Sequence, residues 1–529
     1  MTSRMGGIPR RFVAVAALLV ILGLSACAAR DWPAFRHDAM RTAKQPRLTA
    51  LADPAQVPGL HVVWSFHPAG APEAFRASPI IHKSRVYIGN GDGYLYALDA
   101  ATGALLWQYP PAASPPLTSQ FTCNPSSHGI ASSVAIAKIG GRTAVIFGAP
   151  DQSFGTGLGE GRLFALDADT GAEIWKSPAV AQLTGTTSGD PTQLHEQIGY
   201  SSPLVFGDRV YIGVANHCDN PIQRGKVVAV DLATGAIDGA FSFFGSGPPR
   251  GGGVWTSVAG FGTGLYVTTG NTNIGGAEPP DNHGLSFLRL RSDNGGIVWK
   301  HQPVPYDLDG DPDWSAGAAV MRTTCGTMVA STMKDGWTYA VDTGGDVPAP
   351  PSVRWQFPPT GFPFTVADGT VHGDTRYLRP GAAWGNVFIT MAPGLNVTTN
   401  VSSGYDRLHA LNACAPGAFR VRWILDVPNA AGTYALGPPT VSHGIVYVGT
   451  NEGHLIAIAD PGRFPPAGFR CSHPDVPTGI CLASGFTLVP EPAVLANVTL
   501  DGPILTEPAM ARGRLFVATS NGTLYMLEP

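Results

Sequence analysis

One pattern recurs along this chain and limits its fold more than any other feature. It is a strand, a short turn, a second strand with alternating apolar residues, then Asp-x-x-Thr-Gly and often Trp. Clear copies span 93–103, 161–171 and 225–235, a fourth spans 284–299 with Arg291 in the Asp position, and weaker copies begin at Gly336, Asp406, Gly453 and Gly522. Asp and Thr side chains bond to nearby backbone, and Gly tolerates positive φ. The pattern therefore predicts a tight turn between two strands in each copy.

A second strand pair precedes most copies, with the period-2 alternation that is typical of strands. Eight four-stranded units at spacings of roughly 45–70 residues are typical of propeller blades. The sequence predicts an all-β fold, an eight-bladed β-propeller of four-stranded antiparallel blades with minimal helix. The last copy stops before an outer strand, so His61–Phe66 is predicted to supply that strand and close the ring.

The N-terminus has the features of an export signal. Arg4, Arg10 and Arg11 precede an apolar run over 12–22 that is too short to cross a bilayer, and no later run is long enough. The run ends in Leu-Ser-Ala-Cys27, which resembles the bacterial lipobox; an ordinary secretory peptide with a chance Cys is the alternative. We expect a lipoprotein signal peptide over 1–26, an anchor and linker over 27–60 and the propeller over 61–529. Acylated Cys27 would hold the exported protein on a bacterial membrane, on its periplasmic or cell-surface side.

Six further cysteines follow Cys27, and an even number in an exported protein suggests disulfides. Cys471 and Cys481 flank a Pro- and Gly-containing loop and are predicted to pair. The other four, Cys123, Cys218, Cys325 and Cys414, allow three pairings, among them Cys123 with Cys218. The chain has no Cys-x-x-Cys, so neither zinc nor haem is expected, and a net charge of −4 without a basic patch gives no support to nucleic acid as a partner.

The repeat Ala-x-Asp-x-x-Thr-Gly-x-x-x-Trp resembles that of the pyrroloquinoline quinone (PQQ) propeller superfamily, including its polyvinyl-alcohol-dehydrogenase-like branch. Residues 32–42 also resemble the N-terminal segment of that superfamily. The resemblance implies one of two functions. The first is a PQQ- and calcium-dependent dehydrogenase of a small alcohol; the second is a non-catalytic scaffold or binding lipoprotein of the cell envelope with a protein partner. Convergence of the site residues in one funnel would favour the first.

Three segments resemble the cofactor site of the dehydrogenases. The resemblance implies that Trp255 lies under the quinone, that Asn271 ligates calcium and that Lys334 reaches the quinone carbonyl. A flat indole suits a planar ring, an amide oxygen suits a hard cation, and an ammonium stabilises developing negative charge. The alternatives are blade packing for Trp255, a turn cap for Asn271 and a solvated Lys334.

An acidic loop carries four alternating carboxylates, Asp307, Asp309, Asp311 and Asp313. Such carboxylates repel one another unless they are solvated or neutralised by a cation. Asp307 and Asp309 are candidate metal ligands. The resemblance also places the base that takes the alcohol proton here, at Asp309 or Asp313.

Two departures from the dehydrogenase pattern weaken the site. Thr156 occupies the position of a calcium-binding Glu, and Glu160 substitutes for it only if the loop shifts. Cys123 is a single Cys where the dehydrogenases often have two adjacent ones. We therefore expect binding of calcium and quinone to be weaker than in those enzymes, or lost.

Overall fold

The structure is a computed structural model. It describes residues 31–70, 74–121, 129–153, 155–187, 189–190, 192–216, 219, 222–244, 251–272, 283–303, 313–334, 337–357, 381–395, 402–416, 421–428, 436–463 and 492–529. Over these ranges the chain forms strands and two short 3-10 helices, Ala50–Ala52 and Val57–Gly59, with no α-helix. No helix in these ranges has the length and apolar character needed to span a membrane.

The strands form eight blades of four antiparallel strands, which confirms the predicted fold. Blade 7 has a fifth strand, Lys44–Gln45, which pairs in parallel with its inner strand Thr440–Ser442. From the inner to the outer strand, blade 1 contains Ile80–His82, Arg85–Gly89, Leu95–Asp99 and Leu105–Tyr109; blade 2 contains Ala135–Ile139, Arg142–Asp151, Glu160–Asp167 and Glu173–Lys176; blade 3 contains Leu204–Phe206, Arg209–Val214, Lys226–Asp231 and Phe243–Phe244; and blade 4 contains Ala259–Phe261, Gly264–Thr268, Phe287–Arg291 and Ile297–His301.

The second half of the ring repeats this order. Blade 5 contains Ala319–Thr323, Gly326–Thr332, Thr338–Asp342 and Val353–Phe357; blade 6 contains Ala382–Trp384, Val387–Leu395, Ser402–Asn412 and Val421–Pro428; blade 7 contains Thr440–Ser442, Ile445–Gly449, His454–Ala459 and Ala493–Thr499; and blade 8 contains Ala509–Ala511, Arg514–Ala518 and Leu524–Glu528. The outer strand of blade 8 is His61–Phe66, paired antiparallel with Leu524–Glu528. The predicted closure of the ring is therefore confirmed.

The Asp-x-x-Thr-Gly turns lock neighbouring blades together. In blade 1, Asp99 Oδ1 accepts hydrogen bonds from the backbone and hydroxyl of Thr102. Gly103 has φ 72°, and a Cβ there would lie 2.7 Å from the Trp64 ring of blade 8. The Trp64 indole donates to the Ala100 carbonyl at 3.3 Å. The same indole-to-turn contact joins Trp107 to Ala168 and Trp175 to Leu232. The repeat thus encodes the turn and the site at which the adjacent blade docks.

The antiparallel order gives the ring two faces. Turns between the first and second strands, and between the third and fourth, form one face, which we call the turn face. Loops between the second and third strands, and between each outer strand and the next inner strand, form the opposite face, which we call the loop face.

Residues 32–45 run inside the ring, and we call this segment the channel strap. Its backbone bonds to the inner strands of six blades through Ile81, Ile136, Gly260, Val320, Ala383 and Val441. Arg41 reaches blade 3 by donating from Nη2 to the Pro203 carbonyl at 3.0 Å, and Gln45 reaches blade 8 by donating from Nε2 to the Met510 carbonyl at 2.7 Å. Every blade therefore contacts the strap.

Three buried charged side chains, Arg36, Arg41 and Glu507, form a cluster between the strap and the blades, which we call the channel cluster. Arg36 donates its backbone N–H to Glu507 Oε2 at 2.8 Å, and its guanidinium lies 3.3 Å from Glu507 Oε1. Arg41 Nε donates to the Val258 carbonyl at 2.9 Å. Burial raises the pKa of Glu507 to about 7 and lowers that of Arg41 to about 10. The two buried guanidinium groups thus bond to backbone carbonyls, and one of them also forms an ion pair with a carboxyl group.

A disulfide joins Cys325 to Cys414 on the turn face of blades 5 and 6. This pair is among those that the sequence left open, and the Cys123–Cys218 pair stays a prediction. The other five cysteines, Cys27, Cys123, Cys218, Cys471 and Cys481, lie outside the described residues.

Candidate functional site

Three of the predicted site residues meet on the loop face, at the junction of blades 4 and 5. Trp255 precedes the inner strand of blade 4, and Asp313 precedes the inner strand of blade 5. Lys334 follows the second strand of blade 5. Inner strands and second strands both have an end at the loop face, so residues distant in sequence reach one place.

Asp313 is the centre of this group, which we call the site cluster. Its Oδ2 accepts a hydrogen bond from the Trp255 indole N–H at 3.0 Å, and its Oδ1 lies 2.6 Å from Lys334 Nζ. Lys334 Nζ also lies 5.5 Å from the centroid of the Trp255 ring. Asp313 is 1% exposed and Lys334 is 9% exposed, whereas Trp255 is only partly buried. Asp313 thus accepts a hydrogen bond from an indole and forms an ion pair with an ammonium group.

Glycines allow this close packing. Gly251 has φ 151°, and a Cβ there would lie 2.8 Å from Thr272 Cα. A Cβ on Gly270 would lie 3.2 Å from Asp313 Oδ2 and 3.4 Å from Trp255 Cδ1. The Gly252 N–H donates to the Asn271 carbonyl at 2.8 Å. The Gly-rich segment before Trp255 and the Thr-Thr-Gly-Asn segment therefore fit together directly beside the site cluster.

Asn271 extends the site toward blade 3. It is buried, and its Nδ2 donates to Asp219 Oδ2 at 3.1 Å. Asp219 lies between the second and third strands of blade 3 and has φ 50°, a left-handed conformation that Asp tolerates better than most residues. The amide nitrogen of Asn271 is thus directed at a carboxylate, and a carboxylate and an amide group from two blades lie side by side.

Asp219 is a candidate site residue that the sequence did not single out. It follows Cys218, which the sequence marks only as a candidate disulfide cysteine. An acidic residue in a loop between two strands is the sequence feature that points to Asp219, but only the fold shows that this loop of blade 3 faces Asn271.

Thr156 and Glu160, in contrast, bind each other within blade 2. Glu160 is buried, and its Oε1 accepts hydrogen bonds from the backbone N–H and the hydroxyl of Thr156, the latter at 2.8 Å. The carboxylate that accepts a hydrogen bond from Asn271 belongs to Asp219 of blade 3.

The remaining predicted ligands, Asp307 and Asp309, lie outside the described residues, as do residues 304–312 in general. Among the residues with described positions, no group of three or more His, Cys, Asp and Glu side chains forms a metal-binding cluster. The described oxygen donors at this position include the Asn271 amide oxygen and the Asp219 carboxylate.

A small cleft, open to solvent, lies on the same face at blade 2, beside the segment that leads into blade 3. Its walls include Ser119, Gly148, Gly161, Gln197 and Tyr200. The Tyr200 hydroxyl accepts a hydrogen bond from Arg76 at 3.0 Å. Gln197 pairs with Ala215, and a Cβ on Gly253 would lie 3.0 Å from the Ala215 Cβ, so the cleft is one blade away from Trp255.

These residues fit a planar, acidic quinone and a hard cation. The partly exposed Trp255 offers a flat apolar ring, and Lys334 offers a cation beside it. Asn271 and Asp219 are an amide and a carboxylate, the oxygen donors that calcium and other hard cations prefer. The residues fit these two groups through the chemistry of their side chains and because loops of blades 3, 4 and 5 bring them together on the loop face.

The fold and this site define a PQQ-type propeller related to quinoprotein alcohol and methanol dehydrogenases. The model of the glucose, ethanol and alcohol dehydrogenase β-propeller domain matches residues 32–349, and the chain belongs to that family. The predicted family resemblance is confirmed.

Individual relatives are distant. The quinohemoprotein alcohol dehydrogenase ADH IIB of Pseudomonas putida is 26% identical over 302 residues, which are 50% of this chain and 39% of that protein. The chain thus spans about two fifths of that relative's length. The crystal structure of the quinohemoprotein alcohol dehydrogenase from Comamonas testosteroni has a TM-score of 0.65 at 18% identity, covering 96% of this chain and 82% of that one. A europium-containing methanol dehydrogenase also has a TM-score of 0.65, at 15% identity, covering 96% and 100%. At these identities the structural likeness shows the fold alone.

Proposed function

We propose that this protein binds PQQ and a hard cation such as calcium on its loop face and oxidises a small alcohol there. The observation that carries the proposal is the contact of Asp313 with both Trp255 and Lys334, beside the Asn271–Asp219 pair. Membership in a family of dehydrogenase propellers supports the same function.

Each residue has a distinct role in this proposal. Trp255 carries the planar ring of the cofactor on its apolar face, and Asn271 with Asp219 holds the cation. Lys334 donates from Nζ to the oxygen that gains negative charge. The chemistry supplied by the bound groups is two-electron oxidation by the quinone and polarisation of its carbonyl by the cation.

Asp313 is the proposed base. Its carboxyl group lies 2.6 Å from Lys334 Nζ, and as a carboxylate it can accept the proton of an alcohol hydroxyl. Its burial excludes bulk water from that proton transfer. The Trp255 indole N–H fixes Oδ2, which orients the carboxylate toward the partly exposed ring.

The test is titration of the purified protein with PQQ in the presence of calcium or europium. Quenching of Trp fluorescence follows the quinone, and europium luminescence follows the cation independently of activity. We expect saturable binding of both and dye-linked oxidation of primary alcohols, with quinone binding lost in Trp255→Ala and oxidation lost in Asp313→Asn.

Asp151→Asn is the matched control, because Asp151 is also a buried carboxylate paired with a lysine, Lys176, at 3.1 Å, but within blade 2. It should bind and oxidise like the natural protein. Failure of the natural protein to bind PQQ with either metal would refute the proposal and leave the non-catalytic envelope role.

We also propose that the protein is exported and anchored to a membrane through acylated Cys27, as the lipobox-like segment predicts. Mass analysis of membrane-extracted protein should show Cys27 as a modified N-terminus, without peptides from residues 1–26. An unmodified N-terminus at another position would contradict this anchor.

A further inference from the structure

The channel strap leaves the ring at the turn face. Asp31, which precedes the strap, is buried, and its Oδ2 accepts a hydrogen bond from the Lys83 backbone N–H at 2.9 Å. Its Oδ1 accepts from Arg512 Nη2 at 2.9 Å. Lys83 and Arg512 both lie between the first and second strands of their blades, 1 and 8. The start of the described chain is therefore fixed to the turn face by two blades.

The site cluster lies on the opposite face. Trp255, Asp313 and Asn271 occupy loops that enter an inner strand or follow a second strand, and these define the loop face. A blade strand of five residues spans about 16 Å. At least that thickness separates the site cluster from the turn that holds Asp31.

The chain between the lipobox and this anchor is short. Asp31 is four residues after Cys27. Four residues in their most extended form span at most about 14 Å. A lipid on Cys27 would therefore keep the turn face of blades 8 and 1 next to the bilayer.

The surface chemistry of the turn face agrees with a neutral lipid surface. Val347 and Leu48, the two most exposed large apolar side chains of the described residues at 78% and 72%, both lie on it. Val347 is between the third and fourth strands of blade 5. Leu48 follows Pro46, whose carbonyl bonds to His443 on the turn face of blade 7. The turn face also carries charges of both signs, such as Asp99, Asp167, Lys83 and Arg512.

We propose that the acylated protein rests on the bilayer through its turn face and presents the loop face to the aqueous phase. This proposal rests on acylation of Cys27 and on the proposed function. Substrate and any electron acceptor then reach the site from water, because the thickness of the ring separates the site cluster from the lipid.

The test compares two exposed leucines on opposite faces in the full-length acylated protein. Leu48 lies on the turn face, and Leu194, 39% exposed, lies on the loop face between blades 2 and 3. Each is replaced singly by p-acetylphenylalanine and coupled to an environment-sensitive fluorophore. The variants are reconstituted on phosphatidylcholine vesicles that contain a nitroxide-labelled lipid.

We expect quenching to be several-fold stronger for the label at 48 than for the label at 194. Equal quenching, or stronger quenching at 194, overturns the orientation, and so does a chain that lacks acyl groups on Cys27. PQQ and europium titrations of the same variants in detergent report the proposed function separately. Intact binding together with the wrong quenching pattern refutes the orientation alone, whereas absent binding with the expected pattern refutes the function alone.

Discussion

The channel cluster and the site cluster both bury charge between loops of different blades, but they differ in what surrounds the charge. In the channel cluster, Arg36 and Arg41 are enclosed and donate to backbone carbonyls of blades 3, 4 and 6, and Arg36 also forms an ion pair with Glu507. In the site cluster, the Asp313–Lys334 pair lies beside the partly exposed Trp255. An enclosed pair matters to the fold because loss of one partner leaves the other charge buried alone, whereas buried charge beside an accessible aromatic ring is available for chemistry.

Among the variants that test this difference between the two clusters, Glu507→Ala should have the largest effect on stability. It leaves Arg36 buried without its carboxylate, which typically costs about 3–5 kcal/mol of folding free energy. Chemical denaturation should show this loss, while PQQ binding by the remaining folded protein stays unchanged. A fully stable Glu507→Ala variant would show that hydrogen bonds to backbone carbonyls are enough to stabilise the buried guanidinium of Arg36.

Substitutions in the site cluster should lower activity and leave stability nearly unchanged. The double variant Asp313→Asn with Lys334→Gln removes both charges but keeps polar side chains, so no buried charge is left unpaired. Alcohol oxidation should fall by roughly 10²–10⁴-fold, the usual contribution of a general base. Steady-state kinetics measure the rate, and a melting temperature close to that of the natural protein separates chemistry from folding. A large loss of stability would show that the site cluster, like the channel cluster, mainly holds the fold together.

A smaller effect is expected from Asp219→Asn, which keeps the shape of the side chain and removes one anionic ligand next to Asn271. Cation affinity should fall by about 10–100-fold. Europium luminescence measures it, and Asp151→Asn is again the control. Unchanged affinity would mean that Asp219 only orients the Asn271 amide.

The pH dependence of stability should give the smallest effect. Burial raises the pKa of Glu507 from 4.5 to about 7. The folded state binds its proton more tightly than the unfolded state does, so this group's contribution is complete below about pH 4.5 and is lost as the pH rises through about 7. Glu507→Gln should remove that component from denaturation curves recorded between these two pH values. An identical slope in both proteins would contradict the assignment.

These clusters also show which features a sequence can predict. The blades and their closure follow from local alternation and from turn residues, so His61–Phe66 finds its partner even though nearly the whole chain separates the two strands. Trp255, Asn271 and Lys334 are candidate site residues because of the family resemblance. Asp219 was not, because its importance depends on blade 3 facing blade 4 and on no local pattern. The Cys325–Cys414 pairing and the path of the strap depend in the same way on contacts between distant segments.

The strap has a consequence for how the chain acquires its structure. The backbone of Arg36 bonds to Glu507 across 471 positions, and Gln45 bonds to Met510 across 465. The segment that is synthesised first therefore meets some of its partners only when the last blade exists. Such non-local contacts slow folding, since loop-closure entropy is lost before the contacts form. Blades can pair with their neighbours early, but we expect the interior of the ring to be completed in a late, slow phase that requires both ends of the polypeptide.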